Sequence, residues 1–337
     1  MKLIPHNRPS FDSEEESAAI VVLRSGWVAQ GPQVAAFEDE LCAFLGLPAG
    51  HGVAVSSGSA ALYLALLALG VQGKSVAAPA YSCRALQNAI ELAGGTPEWV
   101  DIAQDGPNLD AHALAKSRAQ VAIVAHMYGI PTALPCDLPL TVIEDCAQAL
   151  GAEISGKKAG TIGKIAIFSF AATKLMTAGG QGGMVVSRDP AIVEFLREAR
   201  NYDTVPDNHP RFNLQMTDLQ ASIGRVQLRK LPYFLARRET IFQRYKNTGI
   251  DLFDAPGPDS QPVRFRAVIR TTEPMEWQER LAKAGVRTIV PVTHGELLAA
   301  PNAVPRAAAL SQNTLSLPLY PTLKDEEVDD IVRHLGH

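Results

Sequence analysis

Two repeating patterns of apolar residues predict the elements of this chain. Apolar residues at helical spacing after residue 32 predict an amphipathic helix, and continuous apolar runs of strand length recur as far as residue 187. These runs cover residues 53–55, 75–79, 119–126, 140–144, 164–170 and 183–187, and a further strand is predicted over residues 96–101, which end on an acid. Because a strand that is apolar throughout is covered on both faces, the runs predict a mostly parallel sheet between helices. Catalytic groups in such sheets gather at the carboxyl ends of the strands.

The pattern changes at about residue 231. A helix is predicted over residues 217–231, ahead of Pro232. An alternating strand over 264–270 and helices over 275–284 and 325–335 follow it. We therefore expect two domains, a large one over residues 1–231 and a smaller C-terminal α/β domain over residues 232–337.

Composition and charge argue against several classes of protein. Of the 337 residues, 47% are hydrophobic and 20% are charged, and the formal net charge is −4. This balance offers no basic field for nucleic acid or an anionic membrane surface, and we expect neither a signal peptide nor a membrane span. Cys42, Cys83, Cys136 and Cys146 are scattered, without a CxxC pair. We therefore expect free thiols, no metal site and a cytoplasmic location.

One lysine lies in a loop of small residues between two predicted strands. Lys174 follows the run 164–170 and precedes four glycines between residues 179 and 183, which allow sharp turns or close approach to a ligand. Its neighbours are small or apolar, so partial burial would lower its pKa and leave a nucleophilic amine. A Schiff-base lysine has these properties, although a lone loop lysine is more often a solvated surface group.

Two other positions carry related signals. The sequence SSGSA at residues 56–60 opens a long apolar helix, and free N–H groups at a helix N-terminus bind phosphate. Ordinary capping by one of these serines is the alternative. Asp145 follows the run 140–144, where it could cap the next helix or hold the protonated nitrogen of a heteroaromatic ring. Gln148 lies on the same predicted helical face.

The lysine, the acid and the helix N-terminus together match the needs of pyridoxal 5'-phosphate (PLP). This cofactor requires an amine for its aldehyde, a partner for its pyridinium nitrogen and a pocket for its phosphate. Lys174 with Ser169 before it, Asp145 and Ser59 supply that set. The sequence therefore predicts a PLP site.

The chain resembles the DegT/StrS family of PLP-dependent nucleotide-sugar aminotransferases over nearly its whole length. The segments that carry the resemblance, in family order, are SGWVAQGP at residue 25, SSGSAAL at 56, PAYSCRALQNAI at 79, GGTPEWVDI at 94, AHMYG at 125, EDCAQALGA at 144, SFAATK at 169, GGQGGMVVS at 179, RFNLQMTDLQASIGRVQL at 211 and LSLPLYP at 315. The resemblance implies the type I aminotransferase fold, with a mostly parallel seven-stranded sheet in the large domain.

The resemblance also implies roles for individual residues. Lys174 matches the Schiff-base lysine, Asp145 the pyridinium partner and Gln148 a residue near the ring hydroxyl of the cofactor. Phosphate-binding positions of the family match Gly58, Ser59, Ala60 and Ser169. Asn213 matches an asparagine that in the family reaches the phosphate from the other subunit, which implies a homodimer with shared active sites.

The chain departs from the family pattern near these positions. Cys83 stands where an aromatic residue usually stacks on the cofactor ring, and Gln215 stands in place of an arginine thought to bind the carboxylate of the amino donor. Further departures are Leu86 for a small polar residue, Ala171 for a histidine and Gln181 for an acid. They leave the core chemistry intact and leave the donor and the acceptor open.

Four residues are candidates for substrate contacts. Gln215 is one, and Trp27 lies in a Gly-punctuated loop that is either a turn with a packed aromatic or a loop that closes over a ligand or a neighbouring subunit. His294 and Tyr320 lie in family-like segments, where each could line a substrate cleft or be a packed or surface residue.

From this resemblance we expect an aminotransferase that moves an amino group from L-glutamate to a nucleotide-linked keto-sugar. Such a reaction belongs to the biosynthesis of amino sugars, surface polysaccharides or secondary metabolites. One alternative keeps the fold and changes the acceptor, or uses the cofactor for sugar dehydration, for which relatives carry histidine at the position of Lys174. The other is a non-enzymatic protein that binds PLP or a sugar as a sensor.

Overall fold

The computed structural model of the protein describes residues 3–135, 138–203 and 211–336, so Cys136 lies outside the described residues. The helices are α1 (Ser13–Ser25), α2 (Pro32–Leu45), α3 (Gly58–Ala68), α4 (Ala85–Leu92), α5 (Ala111–Ala115), α6 (Pro190–Arg200), α7 (Asp218–Lys246), α8 (Pro274–Lys283), α9 (Pro305–Gln312) and α10 (Asp325–Arg333). Within those ranges no helix combines the length and the hydropathy needed to cross a membrane.

The strands are β1 (Gly52–Val55), β2 (Ser75–Pro79), β3 (Thr96–Val100), β4 (Val121–Ala125), β5 (Thr141–Asp145), β6 (Glu153–Ile154), β7 (Lys157–Lys158), β8 (Ile165–Ser169), β9 (Gly183–Ser187), β10 (Ser260–Gln261), β11 (Ala267–Arg270) and β12 (Thr314–Leu317). Short 3₁₀ turns cover Met127–Gly129 and His294–Glu296. Each predicted strand between residues 53 and 187 overlaps one strand of the main sheet, which confirms the strand predictions.

The main sheet has seven strands in the order β1-β9-β8-β5-β4-β2-β3. Strand β9 is antiparallel to β1 and β8, and all other neighbouring pairs are parallel. The predicted α/β architecture, with a mostly parallel seven-stranded sheet, is confirmed. Asp145 pairs with Ala125 on one side and with Ile167 on the other. The carboxyl ends of β4, β5 and β8 therefore lie along one edge of the sheet.

Hydrophobic clusters cover both faces of this sheet. Successive residues of a strand point to opposite faces. Phe168 accordingly belongs to the cluster that contains Phe37 of α2, and Ile167 to the cluster that contains Leu62 of α3. Helix α3 is apolar around most of its circumference, as expected for a helix packed between the sheet and other helices. Its N-terminus is thereby held against the edge where the strands end.

One long helix passes through the predicted domain boundary. The predicted end of this helix at residue 231 is wrong, because α7 continues through Pro232 to Lys246. A proline inside a helix costs about 3 kcal/mol, and burial of Phe234, Ile241 and Tyr245 on the turns beyond it offsets that cost. The division into residues 1–231 and 232–337 stays a prediction.

The C-terminal region has its own core, and the N-terminal segment joins it. Strands β11 and β12 form an antiparallel pair. Leu281 of α8, Leu315 of β12 and Ile331 of α10 share a cluster with Ile4. The Ile4 N–H donates to the carbonyl of Gly285 at 2.9 Å. This anchor brings the residues that follow Ile4 towards the edge of the main sheet.

Candidate active site

Lys174 lies in a loop between β8 and β9 that folds back on itself. The Phe170 N–H donates to Gly182 O at 2.8 Å, and the Ala172 N–H donates to Gly180 O at 2.9 Å. The first bond extends the antiparallel pairing of the two strands by one residue, and the second closes the loop. The lysine is therefore held on a short, backbone-bonded turn rather than on a free surface loop.

Burial and neighbouring charges set the protonation of the lysine. Burial lowers the pKa of Lys174, Asp145 and Cys83 raise it, Arg266 lowers it, and the net direction is downward. Its Nζ also lies 5.5 Å from the ring centroid of Phe265. A lowered pKa increases the fraction of neutral, nucleophilic amine at a given pH, as predicted from its small and apolar neighbours.

Asp145 is the last residue of β5, and its side chain is 8% exposed. Burial raises the pKa of Asp145, while the Ala147 N–H, Lys174 and His126 oppose that shift. Its Oδ1 accepts from the Ala147 N–H at 3.0 Å. The helix predicted after Asp145 is wrong, because residues 147–151 form turns. Asp145 therefore caps a turn, and its position beside Lys174 follows from the strand end.

A buried pair holds the end of β5. His126 Nδ1 accepts from the Thr132 N–H at 3.0 Å, which leaves the hydrogen on Nε2 to donate to Glu144 Oε2 at 3.1 Å. Glu144 also accepts from the N–H groups of Gly160, Ile162 and Gly163. His126 and Glu144 lie near Cys146 with a spacing that would suit a metal ion. Hydrogen bonds already satisfy the carboxylate, so we assign this group a structural role.

The orientation of Gln148 is set by a strained residue. Its Oε1 accepts from the Tyr128 N–H at 2.9 Å, and its Nε2 lies 3.7 Å from Met127 Sδ. Tyr128 has a φ of 61°, which is uncommon for a residue other than glycine. Strain of this kind persists where the surroundings demand it, and it is frequent at functional sites.

The N-terminus of α3 packs tightly against the ends of β8 and β9. Ser57 is the N-cap, and its Oγ accepts from the Ala60 N–H at 3.1 Å. A Cβ on Gly58 would lie 2.7 Å from Ser169 Cβ, and a Cβ on Gly183 would lie 2.2 Å from Ser57 O. Ser59 is exposed in the first turn of the helix. The glycines therefore allow a close-packed helix N-terminus next to Ser169, which suits a phosphate group.

We expect Gly58→Ala to weaken binding of PLP by about tenfold or more, because the added methyl group would displace Ser169 from the α3 N-terminus. Fluorescence titration of the cofactor-free protein with PLP would measure this. Gly106→Ala is the matched control, since a Cβ there meets no atom within 4 Å. Equal affinity for PLP in the two variants would contradict a phosphate site at Gly58.

Cys83 lies close to both Lys174 and Asp145. Burial and the Asp145 carboxylate raise the pKa of Cys83, and the Ala85 N–H and Lys174 lower it. The side chain is nevertheless exposed to solvent, so it faces the open side of the site. Among the other departures from the family pattern, Leu86 is fully buried in the core, and Gln181 is exposed with its carbonyl accepting from Gln220 Nε2.

The hydrogen bonds of the remaining predicted residues are made to residues other than Lys174. Gln215 pairs with Val55 beyond the end of β1, and its Nε2 donates to Asn201 Oδ1 at 3.0 Å. Asn213 is exposed, and its Oδ1 accepts from the Gln215 N–H at 3.1 Å. Trp27 is 61% exposed, and its Nε1 donates to the carbonyl of Gln30.

The two candidates near the C-terminus differ in burial. His294 is exposed, and its Nδ1 lies 3.3 Å from Ser311 Oγ. Tyr320 is fully buried in the C-terminal cluster, and burial raises its pKa to about 12. The substrate roles of all four candidates stay predictions.

Sequence patterns did not single out two residues next to Lys174. Phe265 and Arg266 come from the segment before β11 and lie near the lysine. Tyr81 and Tyr128, which follow β2 and β4, lie near Arg266. Phe265 and Arg266 lie inside the predicted strand 264–270, and Tyr81 and Tyr128 come shortly after predicted strands. Aromatic or charged residues at such positions are too common to select them.

A model of the DegT/DnrJ/EryC1/StrS aminotransferase family matches residues 9–336. The chain belongs to this family. It is 34% identical to the erythromycin biosynthesis sensory transduction protein EryC1 of Saccharopolyspora erythraea, over 96% of this chain and 94% of that protein. It is 32% identical to the dTDP-3-amino-3,4,6-trideoxy-alpha-D-glucose transaminase of Streptomyces venezuelae, over 93% of this chain and 88% of that protein.

The PLP form of the putative sugar aminotransferase Spr1654 of Streptococcus pneumoniae has a similar structure. Its TM-score is 0.89 at 26% identity, over 99% of this chain and 97% of that chain. Membership in the family makes the protein a PLP-dependent aminotransferase.

The residues of the site fit this cofactor. Lys174 offers an amine with a lowered pKa, Asp145 a buried carboxylate, and the Gly58–Ser169 contact a close-packed helix N-terminus. Bound PLP supplies an aldehyde for amines and a ring that accepts the electrons of a carbanion. The individual assignments stay predictions.

Proposed function

We propose that the protein transfers an amino group from L-glutamate to a nucleotide-linked keto-sugar in amino-sugar biosynthesis. The observation that carries the proposal is the proximity of Lys174 to Asp145 at the edge where the strands end. An acceptor of the sugar class is suggested by the transaminase from S. venezuelae, whose name specifies a dTDP-linked amino sugar.

Each residue has a defined task in this proposal. Lys174 would hold the cofactor, and its freed amine would take and return the proton of the α-carbon of the amino donor. Asp145 would favour the protonated form of the ring nitrogen. Gln148 would lie near the ring hydroxyl, and the N-terminus of α3 with Ser59 and Ser169 would hold the phosphate.

The proposal includes a homodimer in which Asn213 reaches the phosphate of the partner subunit. Asn213 is exposed and so is free to make such a contact. Exposed apolar residues on α1 and the loop after it, Ile20, Val21, Leu23, Trp27 and Val28, support burial of this face against a second copy. A monomeric holoenzyme in analytical ultracentrifugation would contradict this part.

The cytoplasm is the proposed location. In the described residues Cys42, Cys83 and Cys146 are free thiols, as expected in a reducing compartment.

The absorbance spectrum of the PLP-loaded protein tests the reaction. We expect L-glutamate to remove the visible band of the lysine-bound cofactor and to produce the band of the amine form. A nucleotide-linked keto-sugar should then restore the visible band, and D-glutamate should leave it unchanged. A visible band that no amino acid changes would contradict transamination. It would favour the alternative of a non-enzymatic protein that binds PLP or a sugar. Restoration by unlinked keto-sugars alone would contradict a nucleotide-linked acceptor.

A further inference from the structure

Arg266 is a partly buried cation whose guanidinium makes no hydrogen bond or salt bridge with the residues that the structure describes. It directly precedes β11, and its Cζ lies 5.3 Å from the ring centroid of Phe265. Its electrostatic neighbours are the hydroxyls of Tyr81 and Tyr128, which lie 2.6 Å from each other. No carboxylate of the described residues neutralises it.

Three other arginines of the C-terminal region have hydrogen-bond partners within the chain. Arg264 bonds to Glu239 and Asp254 at 2.7 and 2.6 Å. Arg238 donates to the carbonyl of Leu319 at 2.8 Å, and Arg270 bonds to Asp251 at 3.0 Å. Burying a charge without a partner is costly. The contrast indicates that Arg266 is held ready for an anion that the chain itself does not supply.

The guanidinium borders a small recess next to the lysine loop. This recess has a volume of about 140 Å³, and its polar lining comes from His6, Asn7, Thr173, Arg266 and Ser316. His6 is neutral there, because burial and the charge of Arg266 lower its pKa to about 3. Arg266 is therefore the positive group of the recess.

The recess is tied to Lys174 in two ways. Thr173 in its wall directly precedes the lysine, and the Thr173 carbonyl accepts from Asn7 Nδ2 at 3.1 Å. Phe265, another wall residue, has Lys174 Nζ 5.5 Å from its ring centroid and Arg266 Cζ 5.3 Å from the same centroid. Arg266 is also close enough to lower the pKa of Lys174. An anion on Arg266 would therefore lie near that amine.

We propose that Arg266 binds the α-carboxylate of the amino donor in this recess. The inference rests on the proposed function, because it assigns the donor subsite of that reaction. A carboxylate matches the planar fork of a guanidinium. The recess is too small for a nucleotide, since pockets that enclose ligands of that size are about 300–1,000 Å³. Gln215, the donor contact considered from the sequence, is uncharged and bonds to Asn201.

The first test measures how much L-glutamate is needed to convert half of the bound cofactor in single-turnover spectra. We expect Arg266→Gln to raise this concentration by about 10- to 100-fold, the usual effect of losing a hydrogen bond to a charged group. The glutamate concentration needed by Arg266→Lys should lie between those of the wild type and Arg266→Gln, because lysine keeps the positive charge and lacks the two parallel N–H donors of the guanidinium. Arg270→Gln is the matched control, on the exposed end of β11, and should behave as the wild type.

A second test does not depend on turnover. Glutarate has the carboxylates of glutamate without its amine, and calorimetry should show it binding to the wild type and to Arg270→Gln but about tenfold or more weakly to Arg266→Gln. A third arm replaces L-glutamate by its α-amide. Arg266→Gln should then cost little further affinity, because the group that it recognises is absent.

Two results would overturn the inference. Wild-type conversion by L-glutamate together with unchanged glutamate requirement in Arg266→Gln would remove the role of Arg266. An equal loss with L-glutamate and with its α-amide would exclude the α-carboxylate. A wild-type protein that binds glutarate through Arg266 but is not converted by L-glutamate would instead refute the proposed donor and leave the carboxylate site intact.

Discussion

Lys174→Ala is expected to lower the rate of amino transfer by about a thousandfold or more, because it removes both the covalent anchor of the cofactor and the group that moves the proton. The loss should appear in the half-reaction with L-glutamate, measured by single-turnover absorbance. Lys174 is held on a backbone-bonded turn, and its side chain is only partly buried, so its truncation to Ala should leave the fold intact.

A matched control and a chemical test accompany this variant. Lys164 directly precedes β8, and its half-exposed side chain forms an ion pair with Asp189. Lys164→Ala removes this lysine. It should retain wild-type rates. Borohydride treatment of the PLP-loaded wild type should attach the cofactor to the peptide that contains Lys174, detectable by mass spectrometry. Attachment to a different lysine would refute the assignment.

Asp145→Asn should lower the same rate by about a hundredfold or more, since a neutral amide does not hold the ring nitrogen of the cofactor in its protonated form. The amide oxygen can still accept from the Ala147 N–H, so the turn after β5 should persist. The Asp145 carboxylate also raises the pKa of Lys174. The variant should therefore lower the pKa of that lysine further, as measured from the pH dependence of PLP attachment to the cofactor-free protein.

Asp189→Asn is the comparison for Asp145→Asn. Asp189 caps α6 through the Ala191 N–H, away from the strand ends that carry Lys174 and Asp145. We expect it to keep the catalytic rate and to lose little stability, because asparagine caps a helix about as well as aspartate. A rate in Asp145→Asn that equals the rate in Asp189→Asn would show that Asp145 does not act on the cofactor.

Local patterns were enough to predict the main sheet. Residues 75–79 and 183–187 are predicted and observed as strands with the same bounds. These strands can be recognised in the sequence because a strand that is covered on both faces is apolar along nearly its whole length. The same patterns placed Asp145 at a strand end and Lys174 in the next loop, which the structure brings near each other.

Errors arose where a local signal competes with packing. Pro232 suggested a helix end, yet buried residues on both sides keep α7 continuous. Asp145 suggested a helix N-cap, yet its side chain caps a turn. Helix α1 was not predicted, although Asp12 and Glu15 form the capping box that marks its start.

The sequence by itself determined the fold class and the nearness of Lys174 to Asp145, because periodicity and strand ends are local properties of the chain. The tertiary structure decided which distant residues meet at the lysine. Phe265 and Arg266 lie about ninety residues beyond Lys174. Phe265 reaches the lysine because it and Val263 pack into the cluster of the main sheet that contains Phe168, and Arg266 follows directly. Such contacts depend on the burial of whole elements, which no short window of sequence records.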